Sequence, residues 1–199
     1  SQQGDRMTPA NATSLTPAPI ASWQLVDSRD AFQNRWLHVT LDTVRLPDGR
    51  TYEYTNVHRE VAGVGIIGLN AAGEILLQQE YRHPVGQVVW QAPGGLANVG
   101  EDLLACAARE LREESGYEAE SLEYLGACWD NPGLGNAISH LALGRNLRPT
   151  GHSHPDDAEI VVNHWVTVAW LKQAVSSGII KDRVVICGLA HLWLRGLVG

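Results

Sequence analysis

The sequence lacks the residue patterns typical of disulfide-rich, nucleic-acid-binding and membrane proteins. Its three cysteines, Cys106, Cys128 and Cys187, lie far apart and form no C-x-x-C pair, so neither a zinc knuckle nor a disulfide framework is indicated. The 15 basic residues are outnumbered by 22 acidic ones, which argues against a nucleic-acid surface. No apolar run approaches the roughly 18 residues that a membrane-spanning helix needs. These absences predict a protein of the reducing cytoplasm that binds neither nucleic acid nor membrane.

Composition and patterning divide the chain into three predicted parts. Residues 1–20 are small and polar without an aromatic side chain, which predicts a flexible tail. In residues 21–60, strand-like segments flank the turn Pro47-Asp48-Gly49 and predict a β-hairpin module. Residues 61–199 alternate strand and helix patterns, as expected of one globular domain.

A cluster of acidic residues lies on a predicted helix, Glu101 to Ser115. At 3.6 residues per turn, Glu110, Glu113 and Glu114 fall within an arc of about 100°. Like charges at this spacing destabilise a helix by about 0.2 to 0.5 kcal/mol per pair, whereas a divalent cation between them reverses the sign. For an arbitrary helix, a solvated charged face that includes Arg109 would be the simpler interpretation.

The residues around this helix favour the metal site. The fixed positions run from Gly95, after five residues, to Glu101, and after seven more to Arg109-Glu110-Leu111, Glu113-Glu114 and Gly116. They fill the Nudix box, so the chain resembles the Nudix hydrolase family; only Tyr117, where the family usually has an aliphatic residue, departs. The resemblance implies an α/β/α sandwich with a mixed sheet, preceded here by the β-hairpin module.

The resemblance also implies a metal site, expected to hold Mg²⁺, with Mn²⁺ able to replace it. Carried over position by position, Glu110 and Glu114 would bind the metal through their carboxylates, and Gly94 through its backbone carbonyl. Glu113 would be a further ligand or a base. Arg109 would orient the carboxylates through charge-assisted hydrogen bonds. The metal and its water would then cleave a pyrophosphate bond.

A proton acceptor for the attacking water is expected on a loop before the last strand, as in relatives. Here that loop is 151–159, and its candidates are Asp156, Asp157 and Glu159. Glu159 matches best because it directly precedes the predicted strand. The histidines of the same loop leave open a second interpretation, a transition-metal site.

Three features resemble the ADP-ribose pyrophosphatase branch of the family. Gln79-Glu80-Tyr81-Arg82 resembles a strand end whose arginine, Arg82, reaches the substrate. Pro132 stands fifteen residues after Tyr117, a proline position typical of ADP-ribose hydrolases. The segment Trp23–Arg59 resembles a module that forms homodimers and stacks the adenine, and Trp23 is a candidate for that stacking. The implied reaction splits ADP-ribose into AMP and ribose 5-phosphate.

Each of these features also has a plainer interpretation, and other functions stay open. Arg82 would otherwise form a surface salt bridge, Pro132 a plain turn, and Trp23 would be a buried residue of the core. In addition, Gln91 stands where the branch commonly has the glutamate of E-x-P-A-G. A pyrophosphatase for GDP-mannose or another nucleotide sugar is the nearest alternative. A sensor that binds ADP-ribose without cleaving it is disfavoured, because the box glutamates are complete.

Overall fold

The computed structural model describes residues 20–151 and 160–198. Its first element is an antiparallel sheet with the order β1-β2-β3, formed by Gln24–Gln33, His38–Arg45 and Thr51–His58. The predicted hairpin corresponds to β2 and β3, and β1 extends it by a third strand. Eight of the ten residues of β1 pair with β2, and these include the polar run Asp27–Asp30, which hides the strand pattern in the sequence.

A larger mixed sheet forms the centre of the molecule, with the order β12-β5-β4-β10-β9. Its strands are β4 Gly63–Leu69, β5 Ile75–Arg82, β6 Gln87–Gln91, β7 Gly94–Leu96, β9 Ser121–Trp129, β10 Ile138–Arg145 and β12 Val161–Val166. A short pair, β8 Tyr117–Glu118 and β11 Arg148–Pro149, lies beside it. The pairing of β10 with β4 is parallel and that of β10 with β9 is antiparallel, which makes the sheet mixed.

The strands β4 and β5 diverge soon after the turn that joins them, and the candidate site lies where they diverge. They pair only at Gly68–Leu76 and Leu69–Ile75. Beyond that point β6 pairs with β5, and β7 pairs with β4. The segment that joins β6 to β7 therefore enters the gap between the two diverging strands, and it leads into the glycine pair Gly94-Gly95.

Three helices cover the two faces of this sheet: α1 Leu103–Glu110, α2 Val168–Ser176 and α3 Arg183–Leu194. Because side chains alternate along a strand, β10 directs Ala142 to the core beside α1 and Leu141 to the core beside α2 and α3. The fold is therefore an α/β/α sandwich, as predicted. Among the residues that the structure describes, no helix is long and apolar enough to cross a membrane.

The first sheet contacts the central domain through β3 and the loop before β10. The Tyr54 hydroxyl donates to the Gly133 carbonyl at 2.6 Å. The Asn136 side chain accepts from the Arg59 amide at 2.7 Å and donates to the Arg59 carbonyl at 3.1 Å. These bonds join positions almost eighty residues apart in sequence, so they fix the loop of Pro132 against the first sheet.

Candidate active site

The carboxylate helix begins two residues later than the sequence predicts. Asp102 is its N-cap, and the Asp102 carboxylate accepts from the amides of Leu104 and Ala105 at 3.0 Å each. The predicted start at Glu101 is wrong because this cap places Glu101 in the preceding loop. There the Glu101 carboxylate accepts from the Asn98 amide at 2.8 Å.

The end of this helix is not regular α-helix. After Glu110 the chain forms one π-helical turn, Leu111–Ser115, and the Ser115 hydroxyl donates to the Leu111 carbonyl. Glu113 and Glu114 lie on this wider turn, so the regular helical wheel used for the sequence does not describe their directions. Glu114 is buried and Glu113 is partly exposed.

Arg109 gathers the carboxylates around one guanidinium. Its Nε and Nη2 donate to the two oxygens of Glu101, both at 2.9 Å. Its Nη1 donates to Glu110 at 2.7 Å and to Glu113 at 3.1 Å. These bonds raise the pKa of Arg109 and, with the Asn98 amide, lower the pKa of Glu101 to about 2. Arg109 therefore keeps its charge and orients these acids.

The glycine pair before the helix provides room for the other contacts of the glutamates. The Gly94 amide donates to the Glu114 carboxylate at 2.9 Å. A Cβ atom on Gly94 would collide with the Val64 carbonyl, and one on Gly95 would lie 2.5 Å from the Glu110 carboxyl group. Only glycine fits at both positions, because any side chain would displace either the strand or a carboxylate.

Arg82 lies in a second group of polar side chains, next to the segment that leads into Gly94. Its Nε donates to the side-chain oxygen Oε1 of Gln91 at 2.9 Å, and its Nη2 lies 3.1 Å from the Glu80 carboxylate. The side-chain Nε2 of Gln91 donates to the same Glu80 carboxylate at 2.6 Å. Glu80 and Gln91 are buried, whereas 49% of the Arg82 side chain is exposed. The predicted substrate arginine is thus anchored at its base and open at its tip.

Trp23 and Pro132 belong to a third group of residues, around Tyr54 of the first sheet. The Trp23 ring lies edge to face with Tyr52 and Tyr54, at centroid distances of 6.3 and 6.2 Å. Tyr54 in turn holds the Gly133 carbonyl, which neighbours Pro132. Trp23 is about half exposed. Tyr54 therefore contacts both Trp23 and the loop that carries Pro132.

Strand register places the loop of Pro132 at the same end of the central sheet as the glycine pair. Ser139, near the start of β10, pairs with Gly63, and Gly63 pairs with Leu96. The Leu96 carbonyl accepts from Arg109 at 3.2 Å. One row of residues across three strands thus connects the loop before β10 with the carboxylate helix.

Comparison with known proteins identifies the family. Residues 59–184 match the family described as NUDIX domain. The chain belongs to the Nudix family. The Nudix hydrolase prediction made from the carboxylate helix, and with it the prediction of an enzyme, is confirmed. Residues 23–56 of this Nudix protein match a second description, nucleoside diphosphate sugar hydrolase N-terminal domain.

Individual relatives agree with this assignment. This Nudix protein is 32% identical over 155 residues to a Mycobacterium tuberculosis protein named ADP-ribose pyrophosphatase, covering 74% of this chain and 72% of that one. It is 28% identical over 171 residues to the methanol dehydrogenase activator of Bacillus methanolicus, covering 85% and 92%. A crystal structure of an ADP compounds hydrolase has a TM-score of 0.81 and 18% identity, covering 91% and 98%. That last likeness shows the shared fold.

The donor atoms of the Nudix helix fit a magnesium ion. Glu110 and Glu114 offer carboxylate oxygens beside the glycine pair, and oxygen is the ligand that this hard cation prefers. Within residues 20–151 and 160–198, no three or more His, Cys, Asp or Glu side chains form a group that could hold a metal. A divalent cation held by these two glutamates would complete its shell with water and substrate oxygens.

The remaining predicted site residues lie outside the residues that the structure describes. In addition, sequence reasoning missed two residues of the candidate site. Glu159, with Asp156, Asp157 and the histidines of the same loop, falls in residues 152–159, which the structure does not describe. Sequence reasoning assigned no role to Glu80 or Tyr54. Strand alternation offered a signal for Glu80, because it lies two residues before Arg82 and thus on the same face. No local signal connects Tyr54 to Gly133.

Proposed function

We propose that this Nudix hydrolase cleaves the pyrophosphate bond of nucleoside-diphosphate sugars, with ADP-ribose as its preferred substrate, giving AMP and ribose 5-phosphate. The observation that carries the proposal is the organised box: Arg109 holds Glu101, Glu110 and Glu113, and the Gly94 amide holds Glu114. An intact set of acidic ligands is what hydrolysis requires and what mere binding does not.

Each group of side chains has a proposed task. Glu110, Glu114 and the Gly94 carbonyl hold the metal, with Glu113 as a further ligand or base. A magnesium ion there supplies neutralisation of the pyrophosphate oxygens and activation of the attacking water. Arg82 directs its exposed tip to the phosphates, since a guanidinium matches their oxygens in geometry and charge. Glu159 accepts the proton of the water.

The preference for ADP-ribose is supported by the aromatic group of the first sheet and by the relatives. Trp23 offers a half-exposed indole for stacking on adenine, beside the loop of Pro132. The matched N-terminal description and the Mycobacterium tuberculosis relative both name nucleotide-sugar hydrolysis. GDP-mannose, which would use the same phosphate contacts with another base, is the alternative substrate.

Two further proposals concern the setting of the enzyme. The first sheet forms a homodimer, because its outer strand β1 is exposed along all ten residues and includes Leu25 and Phe32. The cytoplasm is its place of action, a prediction that rests on the unpaired cysteines of the sequence.

A substrate panel tests the function directly. We expect intact protein with Mg²⁺ to cleave ADP-ribose at a higher kcat/KM than GDP-mannose, UDP-glucose, diadenosine polyphosphates or nucleoside triphosphates, measured as phosphate release after a coupled phosphatase. Glu114→Gln should lower kcat by at least about 100-fold, because it removes a ligand charge from the metal site. Glu118→Gln, an exposed glutamate on β8, is the matched control and should leave kcat unchanged.

The panel also separates the alternatives. If GDP-mannose were cleaved with the highest kcat/KM, it would replace ADP-ribose as the proposed substrate, and the protein would still be a hydrolase. Binding of ADP-ribose in calorimetry without cleavage of any compound would refute the enzyme and support a sensor.

A further inference from the structure

Glu80 is a buried acid whose side chain contacts Gln91 and Arg82. Its side chain is 9% exposed, and one oxygen, Oε2, receives both the Gln91 amide at 2.6 Å and the Arg82 Nη2 at 3.1 Å. A buried carboxylate needs a compensating charge and hydrogen bonds to offset desolvation. Arg82 supplies the charge and Gln91 the second hydrogen bond.

Strand geometry holds these three side chains on one face of the sheet. Glu80 and Arg82 are two residues apart on β5, so both point to the same side. Gln91 of β6 pairs with Gln78 of β5, which places it on that face and diagonal to Glu80. The group thus stands on paired strands rather than on a loop, and it fixes the Nε and Nη2 atoms of the Arg82 guanidinium.

The bonds to Glu80 and Gln91 use the Nε and Nη2 atoms of Arg82. The other terminal nitrogen, Nη1, has no hydrogen-bond partner among the described residues. An arginine held on one edge and open on the other presents its free edge to an anionic ligand with little loss of side-chain entropy.

We propose that Glu80 is a positioning residue for substrate binding: with Gln91, it holds the Arg82 guanidinium so that Nη1 meets the diphosphate of the nucleotide sugar. The inference rests on the proposed function for the identity of the substrate. It also accounts for Gln91, since a glutamate at position 91 would place a second acid beside Glu80. In this chain Glu80 on β5 is the one acid of the group, and Gln91 on β6 is its amide partner.

Exchanging the acid and the amide between the two strands tests the proposal. Glu80→Gln leaves Arg82 without its acid, and Gln91→Glu places two carboxylates side by side. We expect each single variant to raise the KM for ADP-ribose about tenfold, a loss typical of one hydrogen bond to a charged group, with kcat little changed. The double variant Glu80→Gln/Gln91→Glu keeps one acid and one amide, and its KM should return to within about threefold of the original.

Two controls separate positioning from a general structural effect. In an Arg82→Gln background, Glu80→Gln should raise KM no further, because Glu80 acts only through Arg82. Glu123→Gln on β9 breaks a more exposed ion pair, with Arg145 on β10, and should leave KM unchanged. An unchanged KM in Glu80→Gln, a double exchange as weak as the single variants, or a full additional loss in the Arg82→Gln background would each overturn the proposal.

A spectroscopic measurement keeps this inference separate from the proposed function. The Nε–H of Arg82, assigned in a ¹⁵N–¹H spectrum by its loss in Arg82→Gln, should be protected from solvent exchange in the original protein and in the double exchange. Protection should fall in Glu80→Gln, because the Glu80 carboxylate accepts from the Gln91 side chain and so orients the Gln91 oxygen that binds this Nε–H. If the protein cleaves none of the compounds in the panel, the proposed function fails. The Nε–H signal still tests whether Glu80 and Gln91 hold Arg82 in place. Fast solvent exchange of this Nε–H in the original protein would show that Glu80 and Gln91 do not hold the Arg82 guanidinium.

Discussion

The Glu101 carboxylate titrates far below the ordinary range because Arg109 holds both of its oxygens. Its pKa falls from 4.5 to about 2, first through the hydrogen bonds of Arg109 and then through that of the Asn98 amide. A folded-state pKa below the unfolded value adds stability at a pH above about 4.5. That stability is lost as the pH falls towards 2.

We therefore expect Glu101→Gln to be less stable than the original protein at pH 7, with a difference that shrinks below about pH 4.5 and vanishes near pH 2. Urea unfolding midpoints measured across this pH range give the difference directly. Glu118→Gln, at an exposed position, corrects for the loss of one negative charge. A difference that stays constant from pH 7 to pH 2 would show that the Glu101 charge does not take part.

How far single residues can be predicted depends on how far apart in sequence their partners lie. Arg109, Glu110 and Glu113 are neighbours on one helix, so spacing alone brought them together. The contact of Glu80 with Gln91 needs the pairing of two strands, and the bond from Tyr54 to Gly133 spans 79 residues. Such contacts depend on the register of separate strands, which no local pattern determines.

At the scale of elements, the N-cap of α1 determines where the carboxylate helix begins. The Asp102 side chain satisfies two amides of the first turn, at Leu104 and Ala105. We expect Asp102→Ala to lower the stability by about 1 kcal/mol, which corresponds to a drop in Tm of about 2 to 4 °C for a chain of this size. Thermal unfolding followed by circular dichroism measures the shift.

Asparagine provides the matched control, because its side-chain oxygen accepts the same amide hydrogens. Asp102→Asn should keep the original Tm to within about 1 °C. Equal losses in the alanine and asparagine variants would assign the effect to the negative charge near the helix N-terminus instead of to the cap.

Regular elements can be predicted from the sequence, whereas irregular ones cannot. The alternation expected for residues 61–199 is seen, for example, in the strand Ser121–Trp129 and the helix Val168–Ser176. The π-helical turn at Leu111–Ser115 continues a helical pattern and cannot be distinguished from it in sequence. The short strand Gly94–Leu96 has no such pattern, because it begins with two glycines, which are rare in strands that do not approach another backbone closely.

For the whole molecule, the first sheet has a long edge strand that no other described strand covers on its outer side. β1 is the terminal strand in the order β1-β2-β3, and all ten of its residues are exposed, with Leu25 at 59% and Phe32 at 55%. A long exposed edge with apolar side chains is prone to pair with another chain. A second copy of this chain is the occupant that we propose.

The proposed dimer predicts the mass of the protein in solution and a substitution that reduces it to the monomer mass. Light scattering after size exclusion should give twice the 21.7 kDa of the chain for the original protein, and the monomer mass for Phe32→Glu, since a charge buried in an interface is costly. Ile179→Glu changes a side chain of similar exposure, 59%, between α2 and α3, and should leave the dimer intact. A monomer mass for the original protein at micromolar concentration would refute the dimer, and Trp23 would then contribute to the site of its own chain alone.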